Sequence, residues 1–160
     1  MPEEKLCCAQ FNPEPWQKTT HQWKDKPFLM DTVPQFLHMP LPGVYRRTLA
    51  RMWERANALG AAPDIKDFLL LAYDPSPWKS ELYVALTKRV PESDVVGLSG
   101  TYVSMVFDGP FSEVPKYMKQ MDAFLMGGGQ KSKKYFFYFT TCPKCAKKYG
   151  HNYIVALAQV

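Results

Sequence analysis

Apolar positions along this chain recur in two rhythms, one of period two and one of three to four residues. Thr101 to Phe107 is rich in β-branched and aromatic residues and reads as a strand ending at the turn residues Asp108-Gly109-Pro110. Val114, Tyr117, Met118, Met121, Phe124 and Leu125 then fall at helical steps. Gly127-Gly128-Gly129 should stop that helix, because glycine has no side chain to pack and weakens a helix interior. Residues 135–141 and 153–160 supply two further strands, expected as antiparallel neighbours in a hairpin-like return around Cys142.

The first half can be read in the same order. Gln35 to Met39 is a strand candidate, and Pro40-Leu41-Pro42-Gly43 turns the chain. Tyr45, Leu49, Met52, Trp53, Ala56 and Leu59 share one helical face, closed by Gly60 and Pro63. Phe68 to Tyr73 and the alternating run Leu82 to Leu86 follow as strands. Because isolated helices of this length are marginal in water, each must bury its stripe on a sheet. The expected fold is α+β, with duplicated βαββ units, antiparallel sheets and two principal helices around a central cleft. The units fall at about 33–92 and 95–160 within a domain of 33–160. Residues 1–32, with Pro2, Pro13, Pro15 and Pro27, are expected as an irregular wrap or a strand extension near Phe28.

Composition narrows the class. With 46% hydrophobic and 14% aromatic residues, the 160-residue chain is a packed domain rather than a disordered one. No apolar run approaches the roughly 20 residues of a bilayer span. Met1-Pro2-Glu3-Glu4-Lys5 is followed by no secretory-type hydrophobic segment, so a cytoplasmic location is expected. The net charge of +5 is modest. Its basic stretches, around Arg46, Arg47 and Arg51, at 131–134 and at 144–148, accompany no nucleic-acid-binding signature. They read as solvated faces, with no specific nucleic acid or membrane partner expected.

Gly100-x-Tyr102 followed by Phe107-x-Gly109-Pro110-Phe111 and a helix resembles the GyrI-like small-molecule-binding superfamily. Phe36 to Leu59, with Leu41-Pro42-Gly43-Val44-Tyr45 at the corresponding turn, is similar in the first unit, and Thr140 to Tyr153 resembles the ending of a stand-alone bacterial branch. The resemblance implies a paired SHS2 arrangement whose central cleft receives aromatic or cationic compounds. Relatives of that kind include multidrug-sensing regulator domains, a gyrase-inhibiting protein and hydrolases that open strained rings. Residues 1–32 are too short and proline-rich for an added helix-turn-helix, and the Glu-Gly-Leu-Trp-Trp stretch of the hydrolase branch does not occur.

An aromatic cleft suits planar ligands, which bury area and are held in orientation by ring stacking. Trp53, Tyr73, Tyr83, Tyr102, Phe107, Phe137 and Phe139 are the candidates, each also at core spacing, with Tyr102 foremost because it stands in the Gly-x-Tyr element. Glu81 is the acidic candidate, able to attract a ligand cation or to activate water. Asp108 and Glu113 are alternatives, Glu113 also suiting the start of a helix. The main reading is capture of an aromatic, cationic or electrophilic small molecule. Its alternative is metal-independent hydrolysis of a strained or electrophilic one, with an acid and a tyrosine organising water; a protein partner is a third class.

Cys142-Pro143-Lys144-Cys145 is half of a four-ligand zinc pattern. Cys7, Cys8 and His151 could complete a set only through the fold, and their spacing matches no familiar one. Reduced, non-catalytic thiols at a turn are expected, with no cofactor; structural zinc or a redox pair at Cys142 and Cys145 is the alternative.

Overall fold

The computed structural model describes residues 10–41, 43–64, 67–140 and 143–160. They fall into two compact units: residues 22–101, and residues 102–160 with the described N-terminal residues up to His21.

The unit of residues 22–101 is built on β1 (Thr19–Phe36), β2 (Met39–Pro40), α1 (Val44–Ala58), β3 (Leu70–Ser76), β4 (Lys79–Ala85) and the start of β5 (Val95–Asp108). Strands run in the order β2-β1-β4-β3. β1 lies antiparallel to β4 with Leu29 opposite Val84 and Val33 opposite Ser80. β4 lies antiparallel to β3 with Tyr73 opposite Glu81. Phe28, Leu29, Val33, Leu71, Leu82 and Val84 form its interior, and α1 buries Thr48, Met52 and Ala56, one side chain per turn.

The other unit carries the remainder of β5, α2 (Val114–Gly127), β6 (Lys134–Phe139), α3 (Pro143–Tyr149) and β7 (Tyr153–Gln159). Its strands run β6-β7-β5, with Phe137 opposite Ala156 and Val106 opposite Val155. Tyr117, Met121 and Leu125 of α2 pack with Val103, Phe107, Ile154, Ala156 and Ala158. The alanines of β7 leave room for the larger helix side chains, which is how close packing is reached without voids. The triple glycine stops α2 as its sequence predicts: Gly129 takes a left-handed φ of +72°, and Gln130 N donates to Leu125 O at 2.8 Å.

Three expectations change. Of the strand expected at Gln35–Met39, only Gln35 and Phe36 end β1, an 18-residue strand that begins at Thr19; Leu37 and His38 turn the chain and Met39 opens β2. Lys24, Asp25 and Lys26 break the apolar alternation there and hide the strand from a pattern search. The return between β6 and β7 passes through a third helix, not a hairpin tip. The duplicated βαββ cleft is also overturned. β1 and β5 each contribute residues to both units, and the strands form one series, β2-β1-β4-β3-β6-β7-β5, with an additional pairing of β1 with β5, where two βαββ repeats would give two separate sheets. Among the described residues no helix is long and apolar enough to cross a membrane.

Candidate active site

α3 ends at Tyr149, and Gly150 turns the chain: its φ is +76° and its N–H donates to Ala146 O at 2.9 Å, closing the last helical turn. This delivers His151 and Asn152 to the start of β7, whose register sets Tyr153 opposite Asp108 at the end of β5. Asp108 is thereby gripped by both oxygens. His151 Nδ1 lies 2.7 Å from Oδ2, and Asn152 N donates to Oδ1 at 3.0 Å. Asn152 Nδ2 donates to Gly109 O at 2.7 Å, and Gly109 N to Asn152 O at 3.2 Å.

The His151 hydrogen bond holds the Asp108 carboxyl below the usual carboxylate range, assisted by the Asn152 N–H and opposed by partial desolvation. An ionised carboxylate can only accept, so Nδ1 carries the proton. With Nδ1 engaged by Asp108, Nε2 is the ring nitrogen left to meet a reacting molecule. The ring stacks on Tyr153 with centroids 5.0 Å apart and planes 12° from parallel, which fixes its orientation.

His151 and Tyr153 line a cavity of 420 Å³ with Tyr149, Gln10, Phe11, Asn12 and Pro13. Phe11 is anchored edge-on to Tyr138 at 5.8 Å and against Tyr153 at the same distance. Asn12 Oδ1 accepts the Glu14 N–H at 3.2 Å, leaving its amide N–H groups as donors. A smaller hollow of 300 Å³ lies beside it, sharing Pro13 and Tyr153 and reaching Asp108.

Gly109 is there for space. A Cβ at this position would stand 2.2 Å from Tyr117 Oη, which donates to Pro110 O at 3.2 Å. Gly109→Ala is therefore expected to push Tyr117 off that carbonyl and off its stack on Phe107. The expected cost is about 1–3 kcal/mol, read in chemical denaturation.

A second histidine pair has a different character. His21 Nε2 lies 2.7 Å from Ser104 Oγ, but Ser104 is fully buried and its hydroxyl donates to Trp16 O at 2.6 Å. With that proton committed, the ring N–H must be the donor to Oγ, and burial lowers the His21 pKa, keeping the ring neutral. Ser104 is thus a core tie rather than an activated nucleophile. In the other unit, His38 Nδ1 meets Asp74 Oδ2 at 2.7 Å on an exposed hairpin.

The residues singled out from sequence are dispersed. Tyr102 is 1% exposed and packs on Phe136 at 6.2 Å. Phe107 stacks on Tyr117 at 4.6 Å beneath α2, and Phe137 and Phe139 stack on one another at 6.4 Å along β6. Trp53 packs on Phe68 at 5.7 Å on the surface of α1. Glu81, Tyr73 and Tyr83 do come together on β3 and β4: the nearly buried Tyr83 Oη donates to Glu81 at 2.6 Å, and Tyr73 stands opposite Glu81. Cys145 is buried in α3 instead of lying at an exposed turn, and Cys142, Cys7 and Cys8 fall outside the described residues. Among the described residues no three His, Cys, Asp or Glu side chains are grouped to hold a metal. Sequence reading did not join His151 to Asp108, although it had named Asp108 as an alternative acid and His151 as a possible zinc ligand. The available signal was His-Asn directly before one strand and Asp-Gly closing another.

A family model described as "Bacterial hydrolase" matches residues 1–160. No curated protein matches the chain at the stringency applied. Among solved structures, a crystal structure of an uncharacterized conserved protein from Listeria innocua is similar, with a TM-score of 0.65 and 14% identity. The match covers 89% of this chain and 92% of that one, a likeness of fold alone. The whole-chain family match replaces the GyrI-like resemblance, and with it the paired-SHS2 and multidrug-binding reading. Short Gly-x-Tyr and Gly-Pro motifs specify a local turn and not a fold. Stand-alone capture as the main function gives way with them.

Proposed function

The chain belongs to the bacterial hydrolase family, and we propose that it adds water to an electrophilic small molecule at the His151–Asp108 pair. The observation that carries this reading is the 2.7 Å bond from His151 Nδ1 to an anchored carboxylate, at the wall of a 420 Å³ cavity. A cavity of that size suits a small molecule, and its Phe11, Tyr149 and Tyr153 rings favour a planar or aromatic one.

The chemistry is general base catalysis. His151 Nε2 removes a proton from water as the water oxygen bonds to the electrophilic carbon. The bond to the leaving group breaks, its electron pair departs with that group, and the proton passes to it from Nε2. Asp108 keeps the ring in the required tautomer and stabilises the imidazolium that forms between the two transfers. Gln10 and Asn12 contribute side-chain amides to the cavity lining, donors that can meet a developing oxyanion.

The test is turnover of aryl esters and aryl epoxides in heavy-oxygen water, with the label sought in the product. Asp108→Asn is expected to lower kcat/KM by about a hundredfold or more, because an amide can donate to Nδ1 and favours the wrong tautomer. An unchanged rate would sink the reading.

The 2.6 Å Tyr83–Glu81 bond favours a second reading, in which Glu81 is the base and the phenol orients it. Under that reading Glu81→Gln, not His151→Ala, abolishes turnover.

A further inference from the structure

Two neighbouring hairpin tips in the unit of residues 22–101 present an apolar surface to solvent. Phe36 and Leu37 are each 58% exposed, Met39 61%, Leu41 41% and Trp78 57%. The tips are fastened together by backbone bonds, Gln35 N to Trp78 O at 2.9 Å and His38 N to Pro77 O at 3.0 Å. The Phe36 and Trp78 rings meet with centroids 5.6 Å apart. Scattered exposed apolar residues need no explanation, but a contiguous group of this size does.

Local choices here work against the fold. The turn joining β1 to β2 has Leu37 at φ +49° and His38 at φ +66°, conformations that Asn-Gly adopts far more readily. α1 starts on Gly43 without a side-chain cap, carries no acid in its first turn and places Arg46 and Arg47 there, against the helix dipole. Residues that oppose the local preference mark sites retained for another purpose.

We infer that these tips dock on an anionic lipid bilayer, Phe36, Leu37, Met39 and Trp78 entering the interfacial layer while Arg46, Arg47 and Lys79 meet lipid headgroups. Charge is the first argument. Arg46, Arg47 and Lys79 are exposed, and among the described residues none has an acidic partner within ion-pair distance, whereas the nearby acids Asp31 and Asp74 are engaged by Arg51 and His38. Residue type is the second, since Trp, Phe and Leu beside arginine and lysine are the set that binds membrane interfaces. A second copy of the chain fits less well. Its own unpaired cations would face one another, and the edge strand here is two residues long and ends in Pro40, which resists strand-to-strand pairing. This proposal departs from the sequence expectation of no specific membrane partner, and it rests on nothing in the hydrolase reading.

The test is sedimentation of the full chain with vesicles of phosphatidylcholine alone, or with roughly a third of the lipid as phosphatidylglycerol. Binding to the anionic vesicles, weakened by salt, is expected. Each of Arg46→Glu and Arg47→Glu should weaken it about fivefold or more. Phe36→Ser with Trp78→Ser should weaken it about tenfold or more. Leu37→Gly provides a control against unfolding: it should raise the melting temperature by relieving the turn while still weakening binding. The inference is overturned by equal partition onto both vesicle types, or by failure to pellet with anionic lipid. It is equally overturned by a dimer in light scattering that Phe36→Ser with Trp78→Ser converts to monomer.

Discussion

His151→Ala is expected to lower kcat/KM for a hydrolysed aryl ester or epoxide by about 10²–10⁴-fold while leaving the melting temperature almost unchanged. The ring is half exposed at the cavity wall, so little packing is lost with it. What disappears is the Nε2 lone pair that takes the water proton and, later, the N–H that returns it to the leaving group. Adding free imidazole should restore part of the rate by entering the vacated space. Glu81→Gln, measured beside it, should change the rate by no more than a few-fold. The opposite pattern, with Glu81→Gln inactive and His151→Ala active, would transfer the catalytic base to β4 and leave the cavity at His151 as a binding feature.

The largest effect on stability is expected at Tyr102. Its side chain is almost wholly enclosed, packed against Phe136, and burial raises its phenol pKa. Tyr102→Ala should cost about 3–5 kcal/mol, the range for deleting a large buried ring that the surroundings cannot refill. For a chain of this size that corresponds to a fall in melting temperature of roughly 10 °C or more. Denaturant titration gives the free energy directly. A variant that folds normally but binds substrate poorly would instead make Tyr102 a contact residue, the role its Gly-x-Tyr setting suggested. Burial is decided by which face of β5 meets the core, and alternation alone never names that face.

Much of the unit of residues 102–160 is legible in its sequence. The stripe from Val114 to Leu125 gave α2, and Gly127-Gly128-Gly129 its end, because helical period and glycine's poor helix propensity are local properties. β6 and β7 were visible as β-rich runs for the same reason. β1 was not, since Lys24, Asp25 and Lys26 interrupt its apolar rhythm while its backbone still pairs along the strand. α3 was obscured because the Cys-x-x-Cys motif drew attention to turn chemistry, and seven residues carry too little periodicity to announce a helix.

The candidate site lay beyond such reading. Asp108 and His151 are 43 residues apart, and no pattern of spacing links them. They meet because β5 and β7 pair in the register that puts Asp108 opposite Tyr153, and a slip of one residue would turn His151 away. The Glu81–Tyr83 contact is the converse case: two residues apart on one strand, they share a face by the pleat, so their proximity was implicit in the chain. The strand order, like the His151–Asp108 pair, depends on which distant strands exchange backbone hydrogen bonds. Every strand offers the same donors and acceptors at the same repeat, so the partner is selected by side-chain packing across the whole fold, and only the folded chain reveals it.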